Sequence, residues 1–299
     1  MTMKFRGHET FFIRKGWLNK GMKYVELTPE LFVSKEENPS DILGIGTNMV
    51  KSLRYWLQVV GLTVEITGTN RKRVQQFTEL GSLVYRYDRF IEEIGTILLL
   101  QYKLATNKED ATAWYYFFNK FSMAEFTKDD FVLAVQNYVK LNSDDGKEVA
   151  VRSLTDDFMC IINTYVPRIK SEPGKISPEN NIDCPLGELG LIDIVNKSKK
   201  IYRKTVPTAQ SINPWIALAV IVDRADGKTE ISLNELRNGE NNIGKVFNLD
   251  TICMLEVLRK IENLGEIKII RTAGLDVIKI NNQRSFLECV EEYYNTIGA

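Results

Sequence analysis

The segment from residue 38 to residue 78 most constrains the fold, because it carries the signals of two helices and a hairpin in close succession. NPSDIL, residues 38 to 43, offers an N-cap and a first-turn proline for a short helix. GIG then supplies a turn, and TNMVKSLRYWLQVV has apolar residues at helical spacing, with Thr47 as its predicted N-cap. LTVEIT and RVQQFT follow as two strands. This is the order of a winged helix-turn-helix.

The C-terminal third repeats that order. NPWIALAVIVDRA predicts a helix, TEISLNELRN a short strand entering a helix, LDTICMLEVLRKIENLG a longer helix and EIKIIRTAGLDVIKIN a hairpin. We therefore predict a mainly α protein with winged helix-turn-helix units at both ends of a helical middle domain. The predicted boundaries are 1–78 for the N-terminal unit, 79–167 for the middle domain, 168–208 for a linker rich in proline, glycine and polar residues, and 209–299 for the C-terminal unit.

Several classes of function are excluded by what the sequence lacks. Its apolar runs, such as residues 215 to 222, are too short for a bilayer span of roughly 20 residues. The N-terminus lacks the features of a signal peptide, so we expect a cytoplasmic protein without membrane contact. There is no Walker A loop and no G-x-G-x-x-G, which argues against nucleotide hydrolysis and dinucleotide chemistry. Four scattered cysteines and one histidine do not form a zinc pattern.

Basic residues of the N-terminal unit indicate DNA as a partner. The whole chain has a net charge of zero, but residues 1–76 contain twelve Lys/Arg and seven Asp/Glu. In a winged helix, the second helix contacts base edges with its first residues and phosphates with its basic ones. The predicted DNA-binding residues are Thr47, Asn48, Lys51 and Arg54 on the helix, and Arg71, Lys72 and Arg73 on the wing. The alternative is that Asn48 supports the cap and the cations form a solvated face.

GHETF, residues 7 to 11, contains the candidate catalytic residues, His8 and Glu9. The reference pKa of histidine is about 6.5, so His8 could transfer protons at a phosphodiester, and Glu9 could bind a divalent metal. The alternative, which we favour, is a structural clasp in which Phe11 and Phe12 are buried and Gly7 permits a tight turn.

Further carboxylates could hold Mg²⁺ or Mn²⁺ for strand cleavage, but the metal ligands are not predicted. Asp88 and Glu92 would share a helical face if a helix already covered Asp88, with Glu93 beside them. The stronger interpretation is an acidic first turn that the helix dipole favours. The same explanation applies to Asp156 and Asp157, which we place in the first turn of a helix beginning at Ser153.

The residues quoted above also carry a family resemblance. GHETFFIRKGWLNKG, GIGTNMVKSLRYW, YDRFIEEIGTILLLQYKLA, AWYYFFNKF, SLTDDFMCIINTYV and CPLGELGLI resemble, in this order, the blocks of the SspB-like family of bacterial proteins. The resemblance covers residues 3 to 290, with GHETF and GIGTNMVKSLRYW as its most specific blocks. One departure is that the family often has LED-P where this chain has Ile91-Glu92-Glu93-Ile94, which weakens a catalytic role for these carboxylates.

The resemblance implies a role in single-stranded DNA phosphorothioation, a sulfur modification used in phage defence. SspB-like proteins are regarded as DNA nickases that act beside a cysteine desulfurase, a PAPS-reductase-like sulfur-transfer enzyme and an ATPase. The implied partners are therefore double-stranded DNA and those proteins. The alternative is a non-enzymatic adaptor that docks DNA to the modification enzymes, or a transcriptional regulator of the defence operon.

Overall fold

The computed structural model describes residues 3–34, 38–68, 73–143, 148–167, 184–272, 275–281 and 284–298. Helices predominate in these ranges, which confirms the prediction of a mainly α protein. The helices are α1 Trp17–Leu27, α2 Pro39–Leu43, α3 Thr47–Val59, α4 Glu79–Tyr87, α5 Ile94–Thr106, α6 Thr112–Asn119, α7 Lys128–Asn142, α8 Val151–Tyr165, α9 Pro214–Ala225, α10 Leu233–Asn238, α11 Ile243–Val246, α12 Thr251–Asn263 and α13 Phe286–Ile297. None of the helices in these ranges has the length and apolar composition needed to cross a bilayer.

Three small antiparallel sheets accompany the helices. Their strands are β1 Thr63–Thr67, β2 Arg73–Phe77, β3 Glu125–Phe126, β4 Ile192–Asn196, β5 Ile201–Lys204, β6 Glu230–Ser232, β7 Ile267–Thr272 and β8 Leu275–Ile280. The strand orders are β1-β2, β3-β5-β4 and β6-β8-β7. Both predicted hairpins are therefore present, and the helices and strands at each end of the chain occur in the predicted order.

The segment 168–208, predicted to be a linker, is only partly described. Residues 168–183 lie outside the described ranges. The remainder contains a short 3-10 helix, Pro185–Leu189, and the strands β4 and β5. Because β5 also pairs with β3, this part of the chain adds two strands to the helical middle.

Buried apolar side chains form one contiguous cluster that extends from Phe12 to Tyr294. The sequence analysis did not predict the C-terminal helix α13. This helix contributes buried side chains to the cluster and contacts the middle of the chain. The Gly95 N–H donates to the Tyr293 hydroxyl at 3.1 Å, and the hydroxyls of Thr96 and Tyr294 lie 2.8 Å apart. These two contacts anchor the last helix, α13, to the first turn of α5. The strands β1 and β2 come before α5 in the chain.

The first turn of α4 packs against Gly61 and Leu62, the residues that follow α3. Thr78 caps α4 by accepting from the Gly81 N–H at 2.9 Å, and its hydroxyl donates to the Gly61 carbonyl at 2.6 Å. Only glycine fits at position 81, because a Cβ there would lie 1.8 Å from the Leu62 carbonyl oxygen. This contact fixes the position of the β1–β2 hairpin, which lies between α3 and α4 in the chain.

We expect Gly81→Ala to lower the free energy of unfolding by about 2–3 kcal/mol, the upper part of the range for overpacking, because backbone rather than a flexible side chain must move. Denaturant-induced unfolding measures the change. Gly187→Ala is the matched control, since a Cβ there meets no atom closer than 3.6 Å and its φ lies outside the left-handed region. Equal stability of the two variants would contradict the close approach.

Candidate nucleic-acid interface beside helix α3

A cleft of about 250 Å³ lies between α3, the β1–β2 hairpin and the N-terminal segment. We name it the α3 cleft, and its lining is Lys4, Gly7, Lys51, Arg54, Tyr55, Gln58, Val59, Glu65, Arg73 and Asp110. Four of these side chains are cations and two are carboxylates. Three of the seven predicted DNA-binding residues, from both the helix and the wing, are therefore brought together in this cleft.

Burial of one face of α3 determines which residues point outward. Leu53, Trp56 and Leu57 are fully buried, so the helix cannot rotate without exposing large apolar side chains. Thr47, Asn48 and Lys51 are exposed at the N-terminal half of the helix. Residues 71 and 72 (Arg71 and Lys72) lie outside the described ranges, so the described part of the predicted wing contributes Arg73 alone.

Thr47 does not cap α3, contrary to the prediction. Gly46 occupies the N-cap position with extended backbone, and Thr47 is the first helical residue. The Thr47 hydroxyl lies 3.3 Å from the Ser40 hydroxyl of α2. Thr47 and Asn48 thus present their polar groups at the exposed start of the helix.

Glu65 neutralises part of the positive charge in the α3 cleft. The Arg54 Nε donates a hydrogen bond to Glu65 Oε1, and the Gln58 Nε2 donates to the same oxygen at 3.1 Å. Arg73 Nη1 lies 4.0 Å from Glu65 Oε2. The Arg54 hydrogen bond holds the pKa of Glu65 below its usual value, so the carboxylate stays charged near neutral pH. Arg54, which the sequence predicts to bind DNA, is therefore a paired cation.

The other cations of the α3 cleft are held less firmly. Arg73 is 73% exposed, so its contact with Glu65 is weak in water. Lys4 Nζ lies 3.3 Å from Asp110 Oδ1, with both side chains more than half exposed. Lys51 is exposed and takes part in no ion pair with the residues that the structure describes. Lys4, Lys51 and Arg73 can therefore be recruited by an anionic ligand at small cost.

His8 lies in the interior rather than in the α3 cleft. Its side chain is fully buried, and its ring packs against Trp56 and Trp114 with centroid distances of 6.3 and 5.6 Å. The Thr10 N–H donates to His8 Nδ1 at 3.0 Å. Because Nδ1 accepts that hydrogen bond, the ring proton sits on Nε2, which donates to Asp157 Oδ1 at 2.7 Å.

The chain around His8 is folded tightly. Arg6, Glu9 and Thr10 have φ values of 59°, 49° and 69°, in the left-handed region that non-glycine residues rarely adopt. The Arg6 N–H donates to Asp157 Oδ1 at 2.9 Å. These contacts tie GHETF to α8, as a structural clasp would. The catalytic roles of His8 and Glu9 stay predictions, and the half-buried Glu9 is the member of the pair with access to solvent.

Asp157 is the residue that sequence reasoning missed. The helix α8 begins at Val151, so the prediction that Asp156 and Asp157 lie in a first turn was wrong. Asp157 lies three residues after Leu154 on the buried face of α8, and burial raises the pKa of its carboxyl while the His8 hydrogen bond opposes that shift. The sequence did contain a signal for this burial, because Asp157 occupies a position of the helical repeat where an apolar residue is expected.

The carboxylates weighed as metal ligands do not form a site. The helix α4 ends at Tyr87 and α5 begins at Ile94, so Asp88 and Glu92 do not share a helical face. Asp88 instead accepts from the Glu92 and Glu93 N–H groups, each at 3.0 Å. Within the described ranges, no group of three or more histidine, cysteine or acidic side chains is placed to hold a metal ion. These residues therefore do not fit a preformed magnesium site.

Comparisons with known proteins agree on one relationship. A family model described as "Protein of unknown function (DUF4007)" matches residues 5–294. A structure described as "Magnesium ion-bound SspB crystal structure" matches with a TM-score of 0.85 and 25% identity, covering 98% of this chain and 88% of that chain. A second, "SspB crystal structure", matches with a TM-score of 0.81 and 26% identity over the same shares of the two chains. No curated protein matches the sequence at a significant level.

Proposed function

The chain belongs to the DUF4007 family and is SspB-like in both its sequence blocks and its fold, and from this premise we propose that it is the DNA-binding component of a DNA phosphorothioation system. In this proposal it nicks one strand, so that sulfur can be installed by its partners. The observation that carries DNA binding is the α3 cleft, where Lys51 is exposed and Lys4 and Arg73 are held only by exposed, weak ion pairs that a phosphate can replace.

The order of elements supports winged helix-turn-helix units as the DNA-binding framework. At the N-terminus, α1, α2 and α3 are followed by the β1–β2 hairpin. At the C-terminus, β6 pairs with β8 and β8 with β7, while α10 to α12 lie between β6 and β7 in the chain. A strand that precedes the helices and then joins the later hairpin is the arrangement expected of a winged unit.

In the proposed complex, α3 enters the major groove with its N-terminal end. Asn48 is exposed there and can form two hydrogen bonds with adenine, and Thr47 can bond either a base or a phosphate. Lys51 of the helix and Arg73 of the hairpin, which line the same cleft, would hold phosphates beside the helix. The hydrogen bond with Glu65 positions Arg54 and partly cancels its charge, so Arg54 contributes less than its exposed neighbours.

Nicking is the finer part of the proposal and rests on the family resemblance. It requires water to attack phosphorus while one P–O bond to a sugar breaks. One SspB structure is described as magnesium-bound, so we include dependence on Mg²⁺ or Mn²⁺. Since the described carboxylates form no preformed site, no residue of this chain is assigned as a metal ligand. We further propose that the cysteine desulfurase, the PAPS-reductase-like enzyme and the ATPase of the system are its protein partners.

The test is incubation of the purified protein with supercoiled plasmid, with and without Mg²⁺ or Mn²⁺. We expect open circles only when metal is present. We also expect His8→Gln to retain nicking, because the imidazole is fully buried and glutamine keeps a donor towards Asp157. Loss of nicking in Glu9→Gln with unchanged DNA binding would assign Glu9 to the chemistry, and loss in a stably folded His8→Gln would assign His8.

A non-enzymatic adaptor or operon regulator is the second candidate. The buried His8 and the lack of a metal-binding cluster in the described ranges favour it. Plasmid that is retarded by the protein but stays supercoiled with either metal would establish docking without cleavage. Plasmid that is neither retarded nor nicked would overturn DNA binding itself.

A further inference from the structure

A second basic cleft, of about 240 Å³, lies between the middle of the chain and the C-terminal unit. We name it the α11 cleft. The polar and charged side chains that matter in its lining are Lys204, Thr205, Arg237, Lys245, Asn248 and Asp250. Three of these are cations and one is a carboxylate. None of the predicted site residues lies here.

Lys204 brings a poorly solvated charge to the α11 cleft. Its Nζ donates to the carbonyls of Phe117 and Phe121 at 2.5 and 2.6 Å, and lies 4.7 Å from the centroid of the Phe117 ring. Burial, with a further contribution from Lys245, lowers the pKa of Lys204 to about 7. No carboxylate of the described residues forms an ion pair with Lys204. An anion in the cleft would therefore stabilise the charged ammonium form of Lys204 that burial disfavours.

Arg237 and Lys245 complete the positive lining. Arg237 Nε is buried and makes no hydrogen bond within the described part of the chain. Gly244, in α11, packs so closely on the Arg237 backbone that a Cβ would lie 2.2 Å from the Arg237 carbonyl oxygen. That contact holds α11, which carries Lys245, against α10, which carries Arg237. The two cations are thus positioned by backbone packing rather than by flexible loops.

The one carboxylate of the lining is already engaged. Asp250 caps α12 by accepting from the Cys253 N–H at 2.7 Å. The Asn248 side chain donates to the Leu191 carbonyl at 3.0 Å, which fixes the rim of the cleft. Asp250 keeps its charge, but three cations face this single carboxylate, so the lining retains an excess of positive charge.

We propose that the α11 cleft binds a phosphate group through Lys204, Arg237 and Lys245. A guanidinium and two ammonium groups match the charge and the several acceptor oxygens of a phosphate, whereas a single carboxylate would leave donors unused. The phosphate can come from a DNA backbone or from a small free phosphate, and both sources share this chemistry. The proposal does not rest on the α3 cleft or on nicking.

Inorganic phosphate is the probe, and Lys245→Gln is the variant. Lys204 is left intact because its ammonium satisfies two carbonyls. We expect phosphate to raise the melting temperature saturably above that in chloride of equal ionic strength. Calorimetric titration should show at least about tenfold weaker phosphate binding in Lys245→Gln, the loss expected for one charge-assisted hydrogen bond.

Lys140→Gln is the matched control, since Lys140 is exposed in the last turn of α7, outside the cleft. It should bind phosphate as the wild type does. Lys245→Arg, which keeps the charge, should restore most of the affinity and guards against a folding defect in the glutamine variant. Phosphate that acts no differently from chloride, or binds Lys245→Gln as tightly as wild type, would overturn the site.

A labelled DNA duplex distinguishes the two sources. If the backbone supplies the phosphate, Lys245→Gln weakens duplex binding and inorganic phosphate competes with the duplex. If a free phosphate is the ligand, Lys245→Gln binds the duplex normally and only phosphate binding is lost. Failure of the proposed DNA function would appear separately, as wild-type protein that binds phosphate but not the duplex.

Discussion

His8→Ala is expected to lower the free energy of unfolding by about 3–5 kcal/mol, because it removes both a large buried ring and the hydrogen-bond donor to a buried carboxyl. His8 Nε2 lies 2.7 Å from Asp157 Oδ1, and both side chains are almost completely buried. Truncation leaves the carboxyl without its strongest donor and opens a cavity beside Trp56 and Trp114. Denaturant-induced unfolding of the two proteins measures the difference.

Two further variants separate this buried pair from a general packing defect. Asp157→Asn keeps an oxygen that can accept from His8 and from the Arg6 N–H, so it should cost much less than Asp157→Ala. In the cycle of His8→Ala and Asp157→Ala, the two losses should be far from additive, because each single change already breaks the same contact. Additive losses, or a His8→Ala variant as stable as wild type, would remove the clasp interpretation.

Elements with strong local signals could be predicted from the sequence. LTVEIT alternates in polarity and RVQQFT follows it after GTN, and they form β1 and β2 within one residue of the predicted limits. Local signals settled helix ends less well. Gly46 and Thr47 are both acceptable N-cap residues, and in the structure Gly46 occupies the N-cap position. The helix α13 carried a usable signal in the capping box of Ser285 and Glu288, which the sequence analysis did not use.

The interior of the candidate sites could not be predicted, because it depends on pairs distant in sequence. His8 and Asp157 are 149 positions apart, and no local pattern joins them. Arg54 and Glu65 are 11 positions apart but meet only when β1 folds onto α3. The sequence therefore predicted Arg54 as a DNA-binding cation but could not predict its ion pair with Glu65. Composition identifies a basic region, and the folded structure shows which of its cations are held in ion pairs and which remain available to bind an anion.

Removing the three available cations of the α3 cleft should nearly abolish DNA binding. Each phosphate contact contributes roughly 0.9 to the slope of log affinity against log salt, which at about 0.1 M salt corresponds to roughly an eightfold change in affinity. For the triple variant Lys4→Gln, Lys51→Gln, Arg73→Gln we therefore expect a roughly 10²- to 10³-fold loss and a slope smaller by about 2.7. Fluorescence anisotropy of a labelled duplex at several salt concentrations gives both quantities.

A control with the same change in net charge is available on the middle helices. Lys128, Lys140 and Arg152 are exposed on α7 and α8, and their triple glutamine variant removes two lysines and one arginine, as the cleft variant does. If general attraction to DNA explained binding, both triple variants would lose affinity alike. If the α3 cleft holds phosphates, the control should lose little affinity and keep the wild-type slope.

Glu65→Gln removes a negative charge from the α3 cleft, whereas the triple variant removes positive charges from it. The substitution removes the carboxylate that pairs with Arg54 and lies 4.0 Å from Arg73, while glutamine still offers an oxygen to the Arg54 Nε. Two cations are then less neutralised, so we expect duplex binding to tighten several-fold and its salt dependence to steepen. A destabilised cleft could explain weaker binding in the triple variant, but it cannot explain stronger binding here. Unchanged or weaker binding by a folded Glu65→Gln variant would mean that phosphates do not approach Arg54 and Arg73, and the interface would have to lie elsewhere on the molecule.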